Sequence, residues 1–148
     1  MTECIVRSTD TVESLKKKVR LATILGTVQS TFTKFPYLRR IWTKNTEEER
    51  LLGVSLTGIM DAVVTSHPDP EVLADLRQVA VDTNKEWAER LDIPQSAAIT
   101  CVKPSGTVSQ LVDAASGIHA RHSPYYVRTV RGDVKDPLTQ LMIDEGVP

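Results

Sequence analysis

AAITCVKPSGTVSQL, residues 97–111, decides the architecture. Ala97 to Val102 is short, apolar and β-branched, and Pro94 and Pro104 bound it, so it predicts a buried strand. Val108 to Val112 predicts the start of a helix, with Thr107 or Ser105 supplying an N-cap hydroxyl. A strand that runs through a glycine turn into a helix leaves backbone N–H groups unpaired and pointing outward. Such donors, with the positive end of the helix dipole, suit a phosphate. Gly106 lets the backbone approach an anion, and Lys103 adds charge. The alternative is an ordinary capped turn between strand and helix: the segment is not a Walker sequence, and its glycine is single. Both readings stand on the local pattern.

Outward from this unit, the pattern alternates. Glu3 to Arg7 predicts a brief strand. Asp10 with Glu13 resembles a capping box that opens a long helix with an apolar stripe of Val12, Leu15, Val19, Ala22 and Gly26. Lys16, Lys17, Lys18 and Arg20 fall mostly on its wet side. Between Thr33 and Asn45 the pattern is irregular, and Phe35, Tyr37, Leu38, Ile41 and Trp42 are expected as core anchors. Leu51 to Met60, with Gly53 and Gly58, predicts a second buried strand where a backbone or a ligand comes close. Asp69-Pro70 opens another helix, striped by Leu73, Leu76, Ala80, Thr83, Trp87 and Leu91. Tyr125 to Val130 predicts one more strand, and Asp136-Pro137 a last short helix. Strands alternating with helices imply an α/β fold with parallel strands. The chain starts almost inside a strand and stops where a helix would hand over to the next one, so a fragment is expected.

Composition narrows the function. The 148 residues amount to about one domain, and a net charge of −1 provides no global field toward nucleic acid or membrane. No stretch approaches the roughly 20 apolar residues of a membrane span, and Met1 to Arg7 carries no signal region. Two cysteines, Cys4 and Cys101, do not make a disulfide scaffold, and a cytoplasmic location is the simplest expectation. Both are flanked by apolar residues and read as buried and inert. His119 and His122 lie in a loop between Gly117 and Pro124 with no neighbouring ligands to complete a metal set. Arg121, Arg128 and Arg131 interleave with Tyr125 and Tyr126 in the manner of a single-stranded nucleic-acid binder, against which stands a half-buried strand.

Four segments in order, VRLATILGTVQSTFTKFPYLRRIW (19–42), EEERLLGVSLTGIMD (47–61), CVKPSGTVSQL (101–111) and SGIHARHSPYYVRTVR (116–131), resemble the adenosylcobalamin-dependent (class II) ribonucleotide reductases. The likeness is to their ribonucleoside-triphosphate reductase branch and extends over essentially the whole chain. It implies a partial segment of a ten-stranded α/β barrel, with residues 1–148 a piece of the catalytic barrel domain. It implies that the turn matching Pro104, Ser105, Gly106, Thr107, Val108 and Ser109 holds substrate phosphates. It also implies adenosylcobalamin as cofactor, a cysteine thiyl radical that abstracts the 3′ hydrogen, loss of the ribose 2′-hydroxyl, and thioredoxin or a similar dithiol as reductant.

The departures are as informative. The family's Asn-Pro-Cys-Gly-Glu radical loop is not in this sequence, and its redox cysteine would fall just before Met1. Cys4 stands where the family has an aliphatic residue, so no catalytic residue is assigned here. The chain is expected to need the missing N-terminal part of the reductase and to be inactive alone. The alternatives are a non-catalytic nucleotide- or subunit-binding fragment and, with little support, a nucleic-acid module. Neither a membrane nor a nucleic-acid partner is expected.

Overall fold

The computed structural model describes residues 1–127 and 129–147. Strand β1 (Thr2–Ile5) leads into helix α1 (Val12–Gln29) and then α2 (Arg40–Glu49). Strand β2 (Val54–Thr57) is followed by a 3₁₀ turn at Ile59–Asp61, a short α3 (Val63–Ser66) and the long α4 (Pro70–Arg90). The remainder holds α5 (Val108–Leu111) and α6 (Pro137–Asp144). The two strands are parallel, with Thr2 opposite Val54 and Ile5 opposite Thr57. Along the other edge of β2, the Val54 N–H donates to Ile99 O (2.9 Å) and the Cys101 N–H to Val54 O (3.0 Å). β2 therefore lies between β1 and residues 98–101.

The 97–102 segment is not the buried strand that its composition predicts. It pairs through a single bridge at Thr100, and Val102 is 79% exposed. Apolar character alone does not bury an edge that has no further strand or helix against it. The opening of α1 also differs. Thr11, not Asp10, is the N-cap, and it exchanges hydrogen bonds with Ser14 rather than Glu13. Asp10 instead accepts from the Ser14 hydroxyl, the Arg7 N–H and Lys18. Burial raises the Asp10 carboxyl, but these hydrogen bonds outweigh it and hold the group below its usual range.

The core lies between the sheet and two helices packed side by side. Cys4, Val6 and Val54 meet Leu15, Val19 and Ala22 of α1 and Leu76 and Ala80 of α4. The two helices bring small buried residues to their packing, Thr23 and Thr27 on α1 and Ala80, Thr83 and Ala88 on α4, while Gly26 backs onto Leu52 and Thr2. The threonines return their hydroxyls to their own helices: Thr23 to Val19 O, Thr27 to Thr23 O and Thr83 to Val79 O. Buried Asn84 ties this packing to the chain ahead of the third segment, donating to Thr27 and Ser96 and accepting the Ser96 N–H, each at 3.0 Å. The Asp69-Pro70 start of α4 is as predicted, with the Asp69 carboxylate capping the Glu71 N–H. The basic cluster is solvated or ion-paired: Lys16 meets Asp75 and Arg20 meets Glu86.

Two further expectations fail. Residues 40–49 form a helix with no buried residue, and Tyr37, Leu38, Ile41 and Trp42 are between 47% and 97% exposed, so they anchor no core here. Tyr125 to Val130 is not a strand in its described part: Tyr125 and Val127 stand in solvent and no ladder partner reaches them. Arg128 lies outside the described residues. Asp136 caps α6 through the Leu138 N–H, as Asp136-Pro137 predicts. Among the described residues no helix is long and apolar enough to cross a membrane.

Candidate functional site

The 104–109 turn is positioned by the end of the 98–101 segment. Gly106 has φ +59°, and a Cβ built there would meet no atom within 4 Å. The backbone is thus in the left-handed region that favours glycine, and it faces open space. The Val108 N–H closes the turn on Ser105 O at 3.2 Å. Gly106 and Thr107 are exposed, and their N–H groups donate to no acceptor among the described residues. Two exposed backbone donors without a partner among the described residues thus stand at an open glycine.

The hydroxyls are distributed differently from that prediction. Thr107 precedes α5 but makes no side-chain cap bond. Ser105 is buried, and its hydroxyl pairs with that of Ser116 at 2.9 Å. Ser109 is buried as well and donates to Gly106 O at 3.3 Å. Two of the three candidate hydroxyls therefore brace the turn, and only Thr107 offers its own outward. Pro104 and Val108 are exposed at the two ends. Lys103 donates to Pro104 O at 3.2 Å and stands 3.6 Å from the Glu3 carboxylate.

The return loop fastens this turn to β2. Gly58 (φ +76°) ends the strand, and a Cβ there would sit 2.7 Å from Val6 O, which is the close backbone approach expected near that glycine. The Gly58 N–H donates to Ala115 O (2.8 Å), and the Gly117 N–H donates to the Thr57 hydroxyl (2.8 Å). Arg121 then reaches back sixty residues in sequence. It donates to both carboxylate oxygens of Asp61 (3.0 and 3.2 Å), to the Asp113 carboxylate (2.9 Å) and to Asp113 O (2.9 Å). Arg7 adds bonds to Asp113 O and Val112 O. Asp61 also accepts the Ala115 N–H at 2.7 Å. Burial raises the Asp61 carboxyl, but the bonds from Arg121 and Ala115 outweigh it and hold the group below the usual range. The same carboxylates keep Arg121 firmly protonated. This network was not legible in the sequence, where Arg121 reads only as one of several cations near tyrosines.

The thiols do not converge on the turn. Cys4 is 4% exposed in the core, and burial pushes its thiol up to about 11, Lys18 opposing and Glu3 reinforcing the shift. Cys101 is half-buried beside Gly53, on the opposite face of the sheet from Cys4 by strand alternation. On the Cys101 face, buried Ser55 keeps its hydroxyl without a partner among the described residues. His119 and His122 are exposed, and no group of three or more metal-ligating side chains occurs among the described residues.

Comparison with known proteins gives one consistent result. An adenosylcobalamin-dependent ribonucleoside-triphosphate reductase of Lactobacillus gasseri is 29% identical over 75% of this chain and 18% of its own length. The chain is similar in sequence to these reductases. That of Euglena gracilis is 29% identical over 93% of the chain and 19% of its own length. A Dictyostelium discoideum protein named as a probable reductase of this type is 26% identical over 99% of the chain and 19% of its own length. The chain thus spans about a fifth of the length of the curated reductases it matches. No family model matches it, and no solved structure does.

Proposed function

We propose that this chain is part of the catalytic α/β barrel of an adenosylcobalamin-dependent ribonucleoside-triphosphate reductase, and that its 104–109 turn holds the phosphates of the substrate. The observation that carries this reading is the open, left-handed Gly106, with N–H groups there that donate to no acceptor among the described residues, in a chain similar to those reductases. A triphosphate would be held mainly by backbone donors, with Thr107 and Lys103 at the rim. Ser105 and Ser109 would act by keeping the backbone in place.

Bound adenosylcobalamin supplies radical initiation in such an enzyme, and the residues of this chain do not fit that chemistry. Radical transfer to a ribose needs a thiol poised beside it. Cys4 is sealed on the helix side of the sheet with a raised pKa, and Cys101 packs against Gly53. The radical and redox thiols of the working enzyme therefore belong to its N-terminal part, with thioredoxin or a similar dithiol as reductant. Alone, the chain is a phosphate-binding piece without turnover.

Nucleotide titration of the 148-residue chain, followed by NMR of the Gly106 amide and by product assay, tests this. A nucleoside triphosphate is expected to shift Gly106 and Thr107, and no deoxyribonucleotide should form with cobalamin and dithiol present. Gly106→Val should weaken binding at least tenfold with the circular dichroism unchanged, because a β-branched residue resists the left-handed conformation. Binding as tight as the parent's would reduce the segment to an ordinary connection.

A further inference from the structure

We infer that Arg121 is a positioning residue for the 104–109 turn: with Asp61 and Arg7 it clamps the far end of α5 to the exit of β2. The inference rests on the phosphate reading only for its functional consequence; the clamp stands on its own geometry. α5 is four residues long and presents its carbonyl end at Val112 and Asp113. A single helical turn has too few internal hydrogen bonds to hold its own direction. Whatever aims its N-terminal side must act from outside.

The arginines do this from the opposite end. Arg7, just beyond β1, and Arg121, in the return loop, both donate to Asp113 O, and Arg7 also takes Val112 O. These carbonyls are the ones a helix leaves unpaired, and cations there complement its dipole. Asp61 receives the other side of the Arg121 guanidinium in a two-point contact, a geometry that fixes angle as well as distance. Asp113 itself has φ +47°, a conformation that aspartate tolerates better than most residues and that the two arginines hold in place. Since β1 and β2 are paired in register, α5 is referenced to both strands of the sheet. Arg121 lies at the opposite end of α5 from Gly106, so it acts through the turn's placement rather than by touching an anion.

The test is Arg121→Gln in the full chain, with Arg121→Lys and Asp61→Asn beside it, using inorganic tripolyphosphate as the probe. Amide hydrogen exchange at Val112 and Ala114, which are bonded back to α5, and at Gly117, bonded to the Thr57 hydroxyl of β2, should speed at least tenfold in Arg121→Gln, while core amides of α1 and α4 keep the parental rates. The Gly106 amide should move to a new chemical shift, and tripolyphosphate affinity should fall about tenfold. Arg121→Lys should not restore either signal, because one ammonium cannot span the four contacts. Asp61→Asn, which keeps shape and the Ala115 contact, should give the same pattern at smaller size and covers the case where Arg121→Gln does not fold. Unchanged exchange in the loop, or full rescue by lysine, overturns the clamp. If the parent chain shows no tripolyphosphate shift at Gly106 while exchange still speeds in the variants, the clamp holds and the phosphate reading falls.

Discussion

Residues 1–96 and residues 97–147 are held by different forces. In the first, helices α1 and α4 close over one face of the sheet, and fully buried Leu15, Val6 and Ala80 remove apolar surface from water. In the second, the buried groups are largely small or hydroxylated, Ser105, Ser109, Ala114 and Ala115, and the organisation comes from hydrogen bonds and the paired arginines. The exposed apolar side chains are frequent there: Val102, Leu111, Tyr125 and Val127 each stand more than three-quarters in solvent. Apolar burial is non-directional and sums over area, whereas a charged hydrogen-bond network depends on angles. The first region tolerates small displacements, and the second is placed accurately or not at all.

Three perturbations sharpen this contrast, in order of expected size. Leu15→Ala should cost about 2–5 kcal/mol by urea denaturation, since Leu15 is wholly buried between both helices and the sheet and leaves a cavity. A loss below 1 kcal/mol would show that α1 is not seated as described. Next, Asn84→Ala should cost about 1–3 kcal/mol, because the Ser96 N–H loses its partner in a buried site. It should also loosen the 98–101 pairing with β2, read by exchange at Cys101. Parental exchange there would mean that Asn84 serves the first region alone.

The smallest effect is the acid response. Asp10 and Asp61 are both held below the ordinary carboxylate value of 3.8. Their contribution is therefore fully present above pH 3.8 and is lost as the pH falls through their lower folded values. Acid titration should release the return loop, reported by Ala115 and Gly117 amides, before far-UV circular dichroism changes, and Asp61→Asn should remove that early phase. Loop and helices melting together in the parent chain would erase the distinction between the regions.

The helix starts were legible in the sequence because their signals are local. Asp69-Pro70 and Asp136-Pro137 declare helix starts by chemistry that acts within three residues. The start of α1 was misplaced by one residue, since Ser14 serves as the reciprocal capping partner that glutamate usually provides. The failures at Ala97–Val102 and Tyr125–Val130 share a cause. β-branched and aromatic residues favour a strand only when a partner edge and a covering layer exist, and neither property is local. Of the site, Gly106 was found by its residue type. The roles of Ser105 and Ser109 were not, because their partners depend on how the chain folds back. The Asp61–Arg121 contact spans sixty residues, and nothing in either segment announces the other.

The side-by-side seating of α1 and α4 has one more consequence. Adjacent strands lie about 4.8 Å apart, whereas packed helices need about 8–10 Å between axes. Both helices cover the same face of consecutive strands, so the outer layer must be wider than the layer beneath it. The small residues Thr27, Ala80 and Thr83 narrow the difference without abolishing it. Glu3 and Ser55, paired across the two strands, lie by strand alternation on the face that these helices leave uncovered.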